Sequence, residues 1–161
     1  MAGDFGFDPL GLSESDGVGV DLYWLREAEL KHCRLAMMAA AGFMFVELVG
    51  PAPGCEMATS KNQIDAFWEL YAVHPQYIWA GFIFTGIIEL ITGIAITTGR
   101  ASGKRAPGDF GLDPFKCKGT AKWDKYALQE VQNGRLAMWA AAGQILQGCT
   151  TSDGALGNLF N

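Results

Sequence analysis

Glu29-Leu-Lys-His32-Cys-Arg34-Leu-Ala-Met37 returns later in the chain as Glu130-Val-Gln-Asn133-Gly-Arg135-Leu-Ala-Met138. Each copy runs on into three alanines and a glycine, Ala39 to Gly42 and Ala140 to Gly143. A shorter echo precedes each one: Gly3-Asp-Phe-Gly-Phe-Asp-Pro9 matches Gly108-Asp-Phe-Gly-Leu-Asp-Pro114. The loop blocks are 105 residues apart (108 minus 3) and the helical blocks 101 (130 minus 29). Two blocks repeated in the same order mark an internal duplication. In both copies it sets ionisable groups directly against an apolar helix.

Composition narrows what such a helix is for. Half of the 161 residues are hydrophobic, 18% are charged and 21 are glycine. Soluble domains average about a quarter charged, and glycine is commoner in membrane helices than in soluble ones. The net charge of -5, with no basic helical face, argues against a nucleic-acid partner. Cys33, Cys55, Cys117 and Cys149 show no CxxC spacing, so neither zinc nor a disulfide scaffold is indicated.

Tyr77 to Thr98 reads as a membrane span, with one carboxylate, Glu89, near its middle. The apolar parts of the repeats, Leu35 to Val46 and Leu136 to Leu146, cover only about 16–18 Å at 1.5 Å per residue. Including the charged turn, Glu29 to Val49 reaches about 31 Å, enough for a bilayer core. The repeats therefore span only if their charges are neutralised inside the membrane. Glu29 and Arg34 lie about 140° apart on one helix, poorly placed to pair locally. The duplication offers cross-pairing instead, Glu29 with Arg135 and Glu130 with Arg34, across a pseudo-twofold axis. Ala36, Ala39, Ala40, Gly42 and their copies are small enough for two backbones to cross closely.

The expected fold is thus an all-α membrane protein of three transmembrane helices, about 22–49, 77–98 and 122–149, the first and third crossed. Arg100 to Lys125 holds seven of the twelve basic residues, and Gly50 to Gln76 only Lys61. The positive-inside rule puts the N-terminus and the second loop on the cytoplasm-like side and the C-terminus opposite. Tyr23-Trp24, Trp68 with Tyr71, Tyr77 with Trp79, and Trp123 with Tyr126 sit where interfacial belts belong.

An ionisable residue within a span is a functional signal. His32 and Asn133 occupy equivalent places, and neither is needed for an ion pair; both offer a neutral lone pair. With Glu29 and Glu130 they give two donors per helix at i,i+3. Paired Glu-x-x-His motifs on facing helices would suggest a di-iron centre, but Asn133 replaces the second His, and an arginine two residues later would repel the metals. Single donors suit a metal already held by a macrocycle, which needs one axial ligand. Magnesium accepts carboxylate, amide or imidazole, and a glutamate paired with arginine can ligate it without net charge.

These residues resemble the chlorophyll-binding light-harvesting antenna family of plastids, the chlorophyll a/b-binding superfamily. The likeness covers both Glu-x-x-His/Asn-x-Arg blocks, the Phe-Asp-Pro loops, the middle span and Gln147. The compact length is more like the chlorophyll a/c or red-lineage branch. The resemblance implies a single antenna domain over residues 1–161, holding chlorophyll a, chlorophyll c and xanthophyll carotenoids. Glu29, His32, Glu130, Asn133, Glu89 and Gln147 would each ligate one chlorophyll magnesium, and the Gly42 carbonyl would hold another through water. Loops Asp4 to Leu12 and Asp109 to Phe115 would cradle xanthophyll end groups. Gly81 stands where some members have a glutamine ligand, and a late histidine of plant members has no counterpart here.

Such a protein would pass excitation energy to a photosystem core, among neighbouring antenna subunits and thylakoid lipids. It would lie multi-pass in the plastid thylakoid membrane, N-terminus stromal and C-terminus lumenal. No arrangement of nucleophile, base and oxyanion hole suggests an enzyme. Two other readings stand beside it: a photoprotective, energy-dissipating member of the same fold sensing pH through Glu56, Asp65 and Glu69, and a membrane metalloprotein using Glu29 and His32.

Overall fold

The structure, a computed structural model, describes residues 2–14, 21–51, 53, 60–103, 105–113 and 117–157. Cys55, Glu56, Pro114 and Phe115 lie outside them. Four α-helices carry the described chain, α1 (Leu22–Val49), α2 (Gln63–Val73), α3 (Pro75–Ser102) and α4 (Trp123–Thr151). No strand occurs among the described residues. Local signals set several boundaries. Asn62 caps α2 by accepting from Ile64 N, and Asp65 in the first turn complements the helix dipole. Pro75 opens α3, where its missing N–H costs nothing, and Gly103 closes it in the left-handed region.

The middle helix extends beyond the expected 77–98 at both ends, and α4 replaces the expected 122–149 by 123–151. At 28 to 29 residues each, α1, α3 and α4 run about 42 Å. By length and composition α1 and α3 can cross a membrane. α4 has the length, but Asp124, Lys125, Glu130 and Arg135 dilute its apolar content.

The core is a seam between α1 and α4. Leu30, Cys33 and Ala40 face Val131, Gly134 and Ala141, all buried. The spacing of three then seven is that of a coiled-coil seam. Each residue is the repeat counterpart of one opposite, since adding 101 to 30, 33 and 40 gives 131, 134 and 141. A Cβ on Gly134 would overlap Cys33 Cβ and Sγ, so this is the point of closest approach. Of the small residues expected to let the backbones cross (Ala36, Ala39, Ala40, Gly42 and their copies), Ala40 and Ala141 do lie in this seam, whereas Ala36 and Ala39 are not buried and Gly42 and Gly143 have open space above them. The residue between the motif's His/Asn and its Arg makes the contact, because the Arg–Glu pairs draw the helices together at their own level.

α3 stands largely clear of this seam. Phe82, Ile83, Phe84, Leu90 and Ile91 are 60–66% exposed, an apolar face far larger than water tolerates. α2 carries a cluster of Phe67, Trp68 and Tyr71. Asn62 docks α2 on α4 by donating through Nδ2 to Gly148 O at 2.9 Å. On the other helix, Glu47 accepts from Leu156 N and Gly157 N at 2.8 and 2.9 Å. Glu47 and Gly148 are repeat counterparts (47 plus 101), so both crossed helices tether a peripheral segment at the same level.

Candidate functional site

Two reciprocal ion pairs clasp the crossing. Arg34 Nε donates to Glu130 Oε1 at 2.7 Å and Nη1 donates to Gly108 O at 2.9 Å. Arg135 Nε donates to Glu29 Oε1 at 2.8 Å and Nη1 donates to Gly3 O at 2.8 Å. Gly3 and Gly108 are themselves repeat counterparts, with φ of +75° and +77°, where L side chains are strained. A Cβ at Gly3 would lie 2.9 Å from Val131 Cγ1, and one at Gly108 would overlap Leu30 Cδ1. Each repeated loop therefore lies on the other copy's helix.

The loops hold their own shape with aspartates. Asp4 accepts from Gly6 N at 3.0 Å, and Asp109 from Gly111 N at 2.9 Å. Asp8 accepts from Leu12 N and Ser13 N, and Asp113 from Cys117 N and Lys118 N. The Ser13 hydroxyl and backbone hold the Asp8 carboxyl below its usual range. The hydrogen-bonded ammonium of Lys118 and the Gly111 N–H do the same for Asp109.

Symmetry breaks at Arg26, whose counterpart is Ala127. Its Nη1 donates to Glu29 Oε2 at 2.6 Å and Nη2 to Ala2 O at 2.6 Å. Among the described residues Glu29 is thus held by two arginines and Glu130 by one. Sequence reading weighed only Arg34 as a local partner for Glu29 and missed Arg26, although its i,i+3 spacing was a usable signal. It missed two further groups. Glu27 is 1% exposed, with Oε1 2.7 Å from Arg105 Nη1, an ion pair without an aligned hydrogen bond. Arg105 also donates to Tyr23 Oη and Asp109 O and stacks on Phe110 at 4.3 Å. Lys31 reaches from α1 to Glu89 on α3, Nζ to Oε2 at 2.6 Å. No local spacing announces either pairing, because the partners are 78 (105 minus 27) and 58 residues apart.

The other candidate donors face outward. His32 is exposed, and its Nδ1 lies 2.7 Å from Ala28 O. A carbonyl only accepts, so Nδ1–H is the donor in this contact, which leaves Nε2 as the ring nitrogen that a neutral imidazole would offer as a ligand. Asn133 and Gln147 are exposed on α4, Gly42 is half-buried on α1, and Glu89 lies on α3. The structure brings together only the four clasp residues. Among the described residues no three His, Cys, Asp or Glu side chains gather into a metal site. Dispersed single donors on an apolar surface fit a macrocycle-held magnesium, which asks for one axial ligand. Beside the clasp, a groove of about 670 Å³ runs between loop residues Gly3, Phe5 and Phe7 and the α4 side chains Arg135, Met138 and Trp139.

The family model described as Chlorophyll A-B binding protein matches residues 1–149. The chain belongs to the chlorophyll a-b binding protein family. Chlorophyll a-b binding protein 7, chloroplastic, of Solanum lycopersicum is 32% identical over 99% of this chain and 63% of its own length. Photosystem I chlorophyll a/b-binding protein 5, chloroplastic, of Arabidopsis thaliana is 28% identical over 99% of the chain and 68% of its own. Fucoxanthin-chlorophyll a-c binding protein, chloroplastic, of Chattonella marina var. antiqua is 31% identical over 93% and 67%. The chain thus spans under two thirds of the tomato protein's length, and its identity to that a-b protein and to the a-c protein differs by one percentage point. Family membership covers the clasp, both loops and all four helices up to Cys149.

Proposed function

We propose that this chain is a light-harvesting antenna subunit of a plastid thylakoid membrane, binding chlorophylls and xanthophylls and delivering excitation to a photosystem core. The observation that carries the reading is the clasp: two carboxylates, each neutralised by an arginine of the opposite helix, sit on an apolar helix pair with about a quarter to a third of their side chains exposed. A glutamate so paired offers an oxygen to magnesium without leaving net charge in lipid.

In this reading Glu29, Glu130, His32, Asn133, Glu89 and Gln147 would each hold one chlorophyll through its magnesium, and the Gly42 carbonyl would hold another through water. Bound chlorophyll a, accessory chlorophyll c and xanthophyll supply the absorption; the chain supplies distance and orientation. The Arg34 and Arg135 bridges fix helices and loops together, so donors keep their spacing. The groove along Phe5, Phe7 and Trp139 takes a long polyene. Three helices cross, with the N-terminus stromal and the C-terminus lumenal, beside neighbouring antenna subunits and thylakoid lipids. No residue is assigned a catalytic role. Nothing observed favours a pH-sensing dissipative role through Asp65 and Glu69: Asp65 already accepts from Asn62, and Glu69 from Ser60.

The test is refolding of the full chain with a plastid pigment extract, followed by chromatography of the bound pigments. Several chlorophylls and at least one xanthophyll per chain are expected, and His32→Ala should lose about one chlorophyll. A purified protein that carries iron and no chlorophyll would sink the proposal.

A further inference from the structure

We propose that Lys31 is the positioning residue of the Glu89 pigment site, supplying from α1 the charge that lets a carboxylate in the middle of α3 act as a magnesium ligand. The inference rests on the reading of Glu89 as a ligand given above.

Glu89 is the fifteenth of the 28 residues of α3, where the surroundings are Phe, Ile and Leu. An unpaired carboxylate charge in that setting is costly to hold away from water. Lys31 offsets that cost with an ion pair. Its Nζ lies 2.6 Å from Glu89 Oε2 and donates to Thr92 Oγ1 at 3.2 Å. Thr92 in turn donates to the Glu89 carbonyl at 3.2 Å, so three groups brace one another. The Glu89 side chain remains 58% exposed, and its Oε1 accepts no hydrogen bond among the described residues. Lys31 therefore holds one oxygen and leaves the other facing outward.

The same rule governs the clasp. Glu29 is paired with Arg135 and Glu130 with Arg34, each of these cations coming from another helix, with Arg26 of its own helix added at Glu29. Lys31 extends the rule to the third helix. Its repeat counterpart is Gln132, so this cation is present only in the first copy. α1 and α3 share little packing. Ion pairs link them, Lys31 with Glu89 and, at one end, Arg100 with Asp21 at 3.1 Å. Lys31 thereby also sets how α3 is turned and where Glu89 points.

The experiment compares Lys31→Met, Lys31→Arg, Glu89→Leu and the double variant Lys31→Met/Glu89→Gln, each refolded as the full chain with a plastid pigment extract. Pigment stoichiometry and the absorption difference spectrum against the parent are read. Glu89→Leu and Lys31→Met should each lose about one chlorophyll, with the same difference spectrum. Lys31→Arg should keep it. The double variant should regain it, because an amide oxygen ligates magnesium with no charge to balance. If Glu89→Leu loses the chlorophyll and Lys31→Met does not, Lys31 has no positioning role while the ligand reading stands. If Glu89→Leu keeps every chlorophyll, the ligand reading fails first and the inference with it. Failure of both Lys31→Met and the double variant to refold, or a different difference spectrum for Lys31→Met, would show a general structural role and overturn the proposal.

Discussion

At the residue scale, charge balance is the controlling quantity, and the two halves of the duplication do not share it equally. Among the described residues Glu130 is paired with Arg34 alone, whereas Glu29 has Arg135 and Arg26. Removing one partner of a pair held away from water strands the other, at a cost of about 3 kcal/mol or more. Arg34→Leu is therefore expected to lower refolding stability by about that amount, and Arg135→Leu by roughly 1 kcal/mol less, because Arg26 still faces Glu29. Denaturation midpoints of the two variants measure the difference; equal losses would mean Arg26 does not compensate. Asp8 and Asp109 add a pH dependence outside the helices. Their folded carboxyls titrate below the ordinary value, so their contribution is complete above about pH 4 and fades as pH falls through the lowered folded values. Acid titration of pigment circular dichroism should show the loops loosening below about pH 4, with a shallower response in Asp109→Asn.

At the element scale, the seam between α1 and α4 turns on a single near-contact, Cys33 against Gly134. Gly134→Ala places a Cβ where Cys33 already is, and overpacking of this kind costs about 1–3 kcal/mol. Cys33→Gly/Gly134→Cys exchanges counterparts across the pseudo-twofold axis and should recover most of the loss in thermal stability. A double variant as unstable as Gly134→Ala would show that the two sites are not interchangeable. The three long helices were legible in the chain from their apolar runs and the duplication, to within four residues at each end, whereas the short α2 was not expected. The depth of the crossing was not legible. Alanine runs announce close packing in general, but only the pull of the Arg–Glu pairs selects position 33/134 over Ala36, Ala39 or Gly42.

At the scale of the whole molecule, the number of crossings decides how the donors are arrayed. α1 and α3 stand out by composition, and α4 does not. The length of α4, its seam with α1 and the neutralisation of Glu130 and Arg135 make it a third crossing in the reading proposed here. Three crossings put the end of α3 and the end of α4 on opposite faces; two would put them on the same face. Ser102→Cys and the native Cys149, each as the sole thiol of the chain, should label with a membrane-impermeant maleimide from opposite sides of thylakoid vesicles. Labelling from one side would limit the chain to two spans.

The sequence by itself determined the duplication, the helical class, the clasp residues and the loop aspartates. Each is written in spacing and in the kind of side chain placed beside apolar runs. Beyond the two clasp pairs, only the tertiary structure decided which cation meets which carboxylate at long range. Lys31 with Glu89, Arg105 with Glu27, and the carbonyls of Gly3 and Gly108 beneath the opposite arginines depend on how three helices are turned against one another. That rotation is set by packing and ion pairing summed over the molecule, and no local pattern in the chain encodes it.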